Sequence, residues 1–318
     1  MKTDTVTKDF ISDANVFADA FNYYIYDGQQ VILPEQLVEK DSVEIAVPYG
    51  ADGAVVPIQK FRDVQKLWAA MTDGRLGYVL YGAENQSEIH YAMAVKNNLY
   101  DALEYAGQVE AAAKSHRRAM KQEKECKIPN SGEFLGGFWR EDRLIPSITL
   151  TIYFGSEEWD GPLSLFDMME ITDARILSKM DNYYVHLIAP ALMKDEEIIK
   201  FQTNLREVML FIKYSKDKEK LIRILEANEE RFRQVERRAV DVIEIITHTG
   251  IKYSEGEVTV DMCQAIQEMR AESEREGELK KAQESARNFY EMGIDIEKIA
   301  QGLGYALETV KQWLNLAV

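Results

Sequence analysis

Leu76–Gln86 (LGYVLYGAENQ) is the stretch whose reading decides the fold. Leu76 to Ala83 is a short apolar run that follows the turn residues Thr72-Asp73-Gly74, so it is expected to form a buried strand that delivers Glu84 at its end. Upstream, Phe61-Arg62-Asp63-Val64 sits within Gln59 to Trp68, which reads as a strand or the exit of one. Before it, residues 43–58 (VEIAVPYGADGAVVPI) place β-branched arms on either side of Gly50-Ala51-Asp52-Gly53, the pattern of a hairpin. Asp63 and Glu84 are therefore expected to arrive on neighbouring strands.

Working outward, residues 9–26 carry Phe10, Val16, Phe17, Phe21 and Tyr24 at helical spacing, closed by Asp27-Gly28. After the strand pair, Ile89, Met93, Lys96, Tyr100, Leu103 and Gly107 share one face of a helix over 88–112. The stretch 114–127 is basic, with Lys114, Arg117, Arg118, Lys121, Lys124 and Lys127. Leu144 to Phe154 reads as the next strand, Ser164 to Met169 as a helix and Tyr184 to Ile188 as a strand stopped by Pro190. Ile198, Phe201, Leu205, Met209 and Ile212 mark an amphipathic helix. Beyond about residue 216 the chain turns to helices rich in Glu, Arg and Lys, and 267–284 reads as a solvated helix or linker. The expected organisation is an α/β domain over 1–215, a charged helical segment over 216–284 and a small helix-turn-helix-like unit over 285–318.

With 318 residues, 46% of them hydrophobic, the chain is long enough to bury a sizeable core. Its two cysteines, Cys126 and Cys263, make neither a disulfide framework nor a zinc cluster, which fits a reducing cytoplasm. The four histidines, at 90, 116, 186 and 248, show no zinc-ligand spacing. Phosphate-binding glycine loops are also lacking, which leaves nucleotide-driven chemistry without support. The N-terminus has early acids and no apolar signal region, and the most apolar run, Leu144 to Gly155, is too short to cross a bilayer. A net charge of −16 opposes nonspecific adhesion to nucleic acid and leaves any such contact to local basic patches.

Two carboxylates on adjacent strands suit Mg²⁺, which prefers one or two hard carboxylate oxygens plus water and substrate phosphate. Asp63 and Glu84 supply the pair, the backbone carbonyl of Asn85 a third oxygen, and Gln86 returns to the same side to orient water or phosphate. The plainer alternatives are an Asp63 paired with Arg62 or Lys60 and a Glu84 that merely follows a strand.

The segments FADAFNYYIYDGQQVILPEQL, IQKFRDVQKLW, YGAENQSEIHYAMAVKNNLYDAL, LIPSITLTIYFGSEEWDGPLSL and FQTNLREVMLFIKYSKD, spread over about residues 10–220, resemble the Rpn family of recombination-promoting nucleases and putative transposases. That family belongs to the PD-(D/E)XK nuclease superfamily. The resemblance implies a restriction-endonuclease-like core and Mg²⁺-dependent, or Mn²⁺-dependent, DNA cleavage. The family's catalytic acid falls on Asp63 and its E-x-Q on Glu84 and Gln86, where Gln86 replaces the superfamily's usual lysine. An acid on the first helix often completes such sites, and Asp19 is the candidate here. Lys96 and Tyr100 stand where a cation and a phenol could approach a phosphate, and Lys114, Arg117, Arg118 and Lys121 could track a DNA backbone.

In Ile296 to Leu314, Ala300, Gly304 and Val310 occupy the small, turn and apolar positions of a helix-turn-helix. Its second helix offers only Thr309, Lys311 and Gln312, beside Glu308, to a groove, so packing on the body or self-association into a homo-oligomer is the alternative use. For the whole chain the alternative is a catalytically inactive, transposon-derived DNA-binding or protein-interaction protein.

Overall fold

The computed structural model describes residues 3–40, 43–46, 58–61, 63–72, 75–122, 128–254 and 256–314. It describes the backbone alone at 43–46, 58–61, 69–72, 75–82, 84, 269–270, 272–274 and 276. Instead of one helix over 9–26, the chain forms α1 (Thr3–Ser12) and α2 (Ala14–Tyr26). Asp13 divides them, its carboxylate capping α2 by accepting from Asn15 and Val16 N–H.

Among the described residues five strands make the central sheet, in the order β1-β4-β5-β6-β7. These are β1 (Leu37–Glu39), β4 (Val64–Thr72), β5 (Arg75–Gln86), β6 (Ser147–Tyr153) and β7 (His186–Ile188). The first three run antiparallel, and β6 and β7 join parallel. The expected hairpin arms are β2 (Val43–Ala46) and β3 (Ile58–Phe61), which pair with each other in a separate sheet. Their turn, with Gly50 to Gly53, lies outside the described residues, as do Asp73 and Gly74 between β4 and β5. The run from Gln59 to Trp68 is thus two strands in two sheets, and Asp63 stands where the chain enters the central one.

A parallel neighbour requires a crossover, supplied by α3 (Met93–Lys121) and the short α4 (Ser131–Gly136). Helix α3 runs about 44 Å and takes the basic residues Lys114 to Lys121 into its last turns; Lys124, Cys126 and Lys127 lie outside the described residues. After β6 the expected helix at 164–169 is only a 3-10 turn, Phe166–Met168, and α5 (Ala174–Leu177) precedes β7. The expected helix over 198–212 is split into α6 (Asp195–Ile198) and α7 (Leu205–Tyr214) by a loop anchored on Asp19. Helices α8 (Lys218–Ala227), α9 (Glu229–Phe232) and α10 (Arg237–Thr247) follow, with a two-stranded pair, β8 (Val235–Glu236) and β9 (Thr259–Val260).

The boundary expected near residue 215 does not coincide with the core. One buried apolar cluster joins Phe10, Phe17 and Phe21 to Leu150, Ile152, Phe211, Val240, Ile243 and Ile266. Residues after 216 enter it because Leu221 and Leu225 of α8, and Val240 and Ile243 of α10, are apolar at helical spacing between the charged positions. The long α11 (Met262–Glu291) then carries α12 (Ile296–Leu303) and α13 (Leu307–Trp313), which share a second small core of Ala286, Ile299, Ala300 and Val310. Gly304 closes α12 at φ 75°, a left-handed conformation that favours glycine. Among the described residues no helix is long and apolar enough to cross a membrane.

Candidate functional site

Strand β5 is longer than its antiparallel partner. The last β4 pair is Val64 with Ala83, whereas β5 continues to Gln86 against Tyr153 of β6. Glu84, Asn85 and Gln86 therefore pair on one side only. The Asn85 N–H points to the side that β4 has left, and the Asp63 carboxylate accepts it at 2.9 Å. In a strand the carbonyl of a residue projects to the same side as its N–H. The Asn85 carbonyl accordingly faces the same gap, where the Gln86 side-chain amide donates to it at 2.8 Å. Asp63, the Asn85 main chain and Gln86 are brought together by the unequal lengths of two strands.

Alternation fixes which face of the sheet each position takes. Glu84 pairs with Thr151, and Thr151 Oγ1 accepts from Asn97 Nδ2 of α3 at 2.9 Å. The backbone position of Glu84 is thus on the α3 face; its side chain lies outside the described residues. Gln65, two residues after Asp63, donates to Glu104 of α3 at 3.0 Å and shares that face. The intervening Asn85 side chain falls on the opposite face, buried with neither amide atom hydrogen-bonded among the described residues.

The α3 face is lined with polar groups that sequence reading passed over. Asp101 accepts from Ser147 and Thr149 hydroxyls at 2.9 and 2.8 Å and from Tyr183 at 2.6 Å. Glu104 receives Lys40 at 2.7 and 2.8 Å, along with Gln65 and Gln108. Asn97 is fully buried, and its Oδ1 has no hydrogen-bond partner among the described residues. A signal for this layer was present: Asn97, Asp101, Glu104 and Gln108 recur at helical spacing beside the apolar face of α3.

Asp19 is a loop anchor. Its two oxygens accept from Gln202 N–H at 3.0 and 2.9 Å, Thr203 N–H at 2.8 Å and the Thr203 hydroxyl at 2.7 Å. Burial raises its carboxyl above the ordinary value, more than these donors and the Arg231 charge lower it. Arg231 closes the same loop from the other side, donating to the Gln202 and Thr203 carbonyls and to buried Glu207. In the structure the carboxylate of Asp19, expected as a supplementary metal ligand, holds α2 to the loop before α7. Lys96 is half-buried with its ammonium 5.9 Å from the Tyr100 ring centroid, so the two are neighbours as their spacing suggested.

As a donor set, the open end of β5 suits a hard dication. Asp63 Oδ1 has no hydrogen-bond partner among the described residues, the Asn85 carbonyl adds a second oxygen, and buried Asn97 Oδ1 is an orphan on the same face. Among the described residues no three His, Cys, Asp or Glu side chains form a metal-holding group, a set from which the Glu84 side chain is left out. No protein-family model, curated protein or solved structure matches the chain.

Proposed function

We propose that this chain is a metal-dependent DNA endonuclease of the recombination-promoting nuclease type, with a PD-(D/E)XK-like core and its site at the open end of β5. The meeting of the Asp63 carboxylate with the Asn85 main chain beyond the last β4 pair carries this reading. Asp63, Glu84 and the Asn85 carbonyl would hold Mg²⁺ or Mn²⁺. When bound, the cation supplies a Lewis acid for a phosphate oxygen and lowers the pKa of a bound water. Gln86, already donating to Asn85, is within one rotamer change of orienting that water or a phosphate oxygen. Asn97 Oδ1 offers an acceptor for a water proton on the same face. Lys96 and the cations at the end of α3 neutralise DNA phosphates in this reading.

The purified protein is expected to cut DNA in Mg²⁺ or Mn²⁺ and to stop in EDTA. Asp63→Asn keeps an acceptor for the Asn85 N–H and should lower cleavage about 10³-fold with an unchanged circular dichroism spectrum. A folded variant that cuts like the wild type sinks the assignment.

A second reading is favoured by those same hydrogen bonds, since Asp63 and Gln86 close the strand end with no cation. The chain would then be a non-hydrolytic DNA-binding or interaction protein working through α12 and α13. The exposed Phe289, Tyr290 and Met292 beside that unit support self-association there. Calorimetry separates the two readings: metal binding that is abolished in Asp63→Asn supports the nuclease, and its absence with DNA binding intact supports the second.

A further inference from the structure

The last turns of α3 and the short α4 enclose a groove of about 420 Å³ that the hydrolytic site does not use. Its frame is rigid. Asn130 and Glu133 form a capping box on α4, and the second Glu133 oxygen accepts from Arg140 N–H at 3.1 Å. Gly137 lets α4 press against α3, because a Cβ there would stand 2.6 Å from Ala113 Cβ. Opposite, the His116 ring stacks on Trp139 at 3.8 Å between centroids, and Asp142 ties both residues by accepting from Trp139 N–H and bonding His116 Nε2.

That frame holds two large apolar side chains out in solvent: Phe134 is 68% exposed and Leu135 84% exposed. Arg117 and Lys121 line the same groove and have no ion-pair partner among the described residues. Glu133 is buried and turned to main-chain N–H groups, and Asp142 is half-buried against His116 and Trp139, so the exposed charges on the groove lining among the described residues are Arg117 and Lys121. Exposed cations on a groove lining, in a chain of net charge −16, suit an anionic occupant. An exposed aromatic beside exposed cations matches one anion well, a nucleic-acid strand whose base can stack while its phosphate meets Arg or Lys. The volume suits one nucleotide, and a closed duplex presents no free base face except at its ends.

We propose that the groove between α3 and α4 binds an unpaired base of a DNA strand, stacked on Phe134, with its phosphates on Arg117 and Lys121. The subsite would direct the protein to single strands, frayed ends or flaps. This rests on the nucleic-acid part of the function proposed above and not on hydrolysis.

Fluorescence anisotropy of the full chain with labelled oligothymidylate in EDTA tests it. The wild type should bind the oligonucleotide more tightly than a closed hairpin duplex. Phe134→Ala should weaken it about tenfold, and Phe134→Trp should restore it. Arg117→Gln with Lys121→Gln should reduce the slope of log affinity against log salt by roughly 1.4. A folded Phe134→Ala protein that binds as the wild type overturns the proposal, as does a failure of the wild type to bind. A Phe134-dependent dimer that ignores the oligonucleotide also overturns it, since the groove would then be an interface. Asp63→Asn keeps the two readings apart: it should lose cleavage and keep oligonucleotide binding, and a Phe134 result stands whichever way cleavage falls.

Discussion

The two faces of the central sheet have opposite chemistry. Towards α1, α2, α7 and α10, Val64, Ala83, Leu150 and Ile152 meet Phe10, Phe17, Phe211 and Val240 in a core with little polarity. Lys66 is a charged exception among the strand residues, its ammonium 5.6 Å from the Phe17 ring centroid and 3.2 Å from Glu39, and the buried Asn85 amide is a polar one. Towards α3, the same strands present Gln65, Thr149 and Thr151 to Asn97, Asp101 and Glu104. One strand serves both faces because successive side chains alternate. The dry face can stabilise the fold by burying area without direction, whereas the polar face holds groups in fixed geometry at a desolvation cost. Apolar burial and directed polar contacts are thereby separated on one scaffold.

Breaking each face should therefore read out differently. Phe211→Ala opens a cavity in the dry core and should cost about 4 kcal/mol of stability in urea unfolding, with any surviving cleavage keeping its metal dependence. Asp101→Ala leaves the Ser147, Thr149 and Tyr183 hydroxyls without their acceptor. It should cost about 2–3 kcal/mol, and Asp101→Asn distinctly less. A drop in metal affinity in the folded Asp101→Asn protein, measured by calorimetry, would show that the polar layer also tunes the candidate site.

The smallest effect concerns acid. Burial opposes the charge of Asp195, but Lys213 at 2.5 Å and Tyr214 at 2.8 Å outweigh it and hold the carboxyl below its ordinary 3.8. Such a group contributes stability above that ordinary value, and the contribution is lost as pH falls through the lower folded value. Asp195→Asn should therefore flatten part of the acid limb of stability below about pH 4. It should change the neutral-pH stability by under about 1 kcal/mol, since the pair is partly exposed. An acid limb identical to that of the wild type would show that other carboxylates control it.

Much of the fold was legible from local pattern. The β5 run, the long helix after it, the β6 strand and the tail helices with Gly304 between them follow from apolar spacing and turn residues, which act over a few neighbours. The misread elements are those where tertiary partners outweigh spacing. Ile198 and Phe201 sit at helical intervals with Leu205, yet the loop between α6 and α7 is held open by Asp19 and Arg231, far away along the chain. Asp19 itself looked like any acid on a first helix, because nothing local shows that its bonds go to Gln202 and Thr203.

For the site the division is sharper. The sequence alone determined that two carboxylates and a Gln arrive at strand ends, since alternation and turn signals are local properties. Only the tertiary structure decided that β5 outruns β4. That mismatch leaves the Asn85 main chain facing Asp63, and the packing of α3 on β6 sets Asn97 against Thr151. Register and strand length depend on pairing between distant segments, and that pairing is settled by which face each strand must bury.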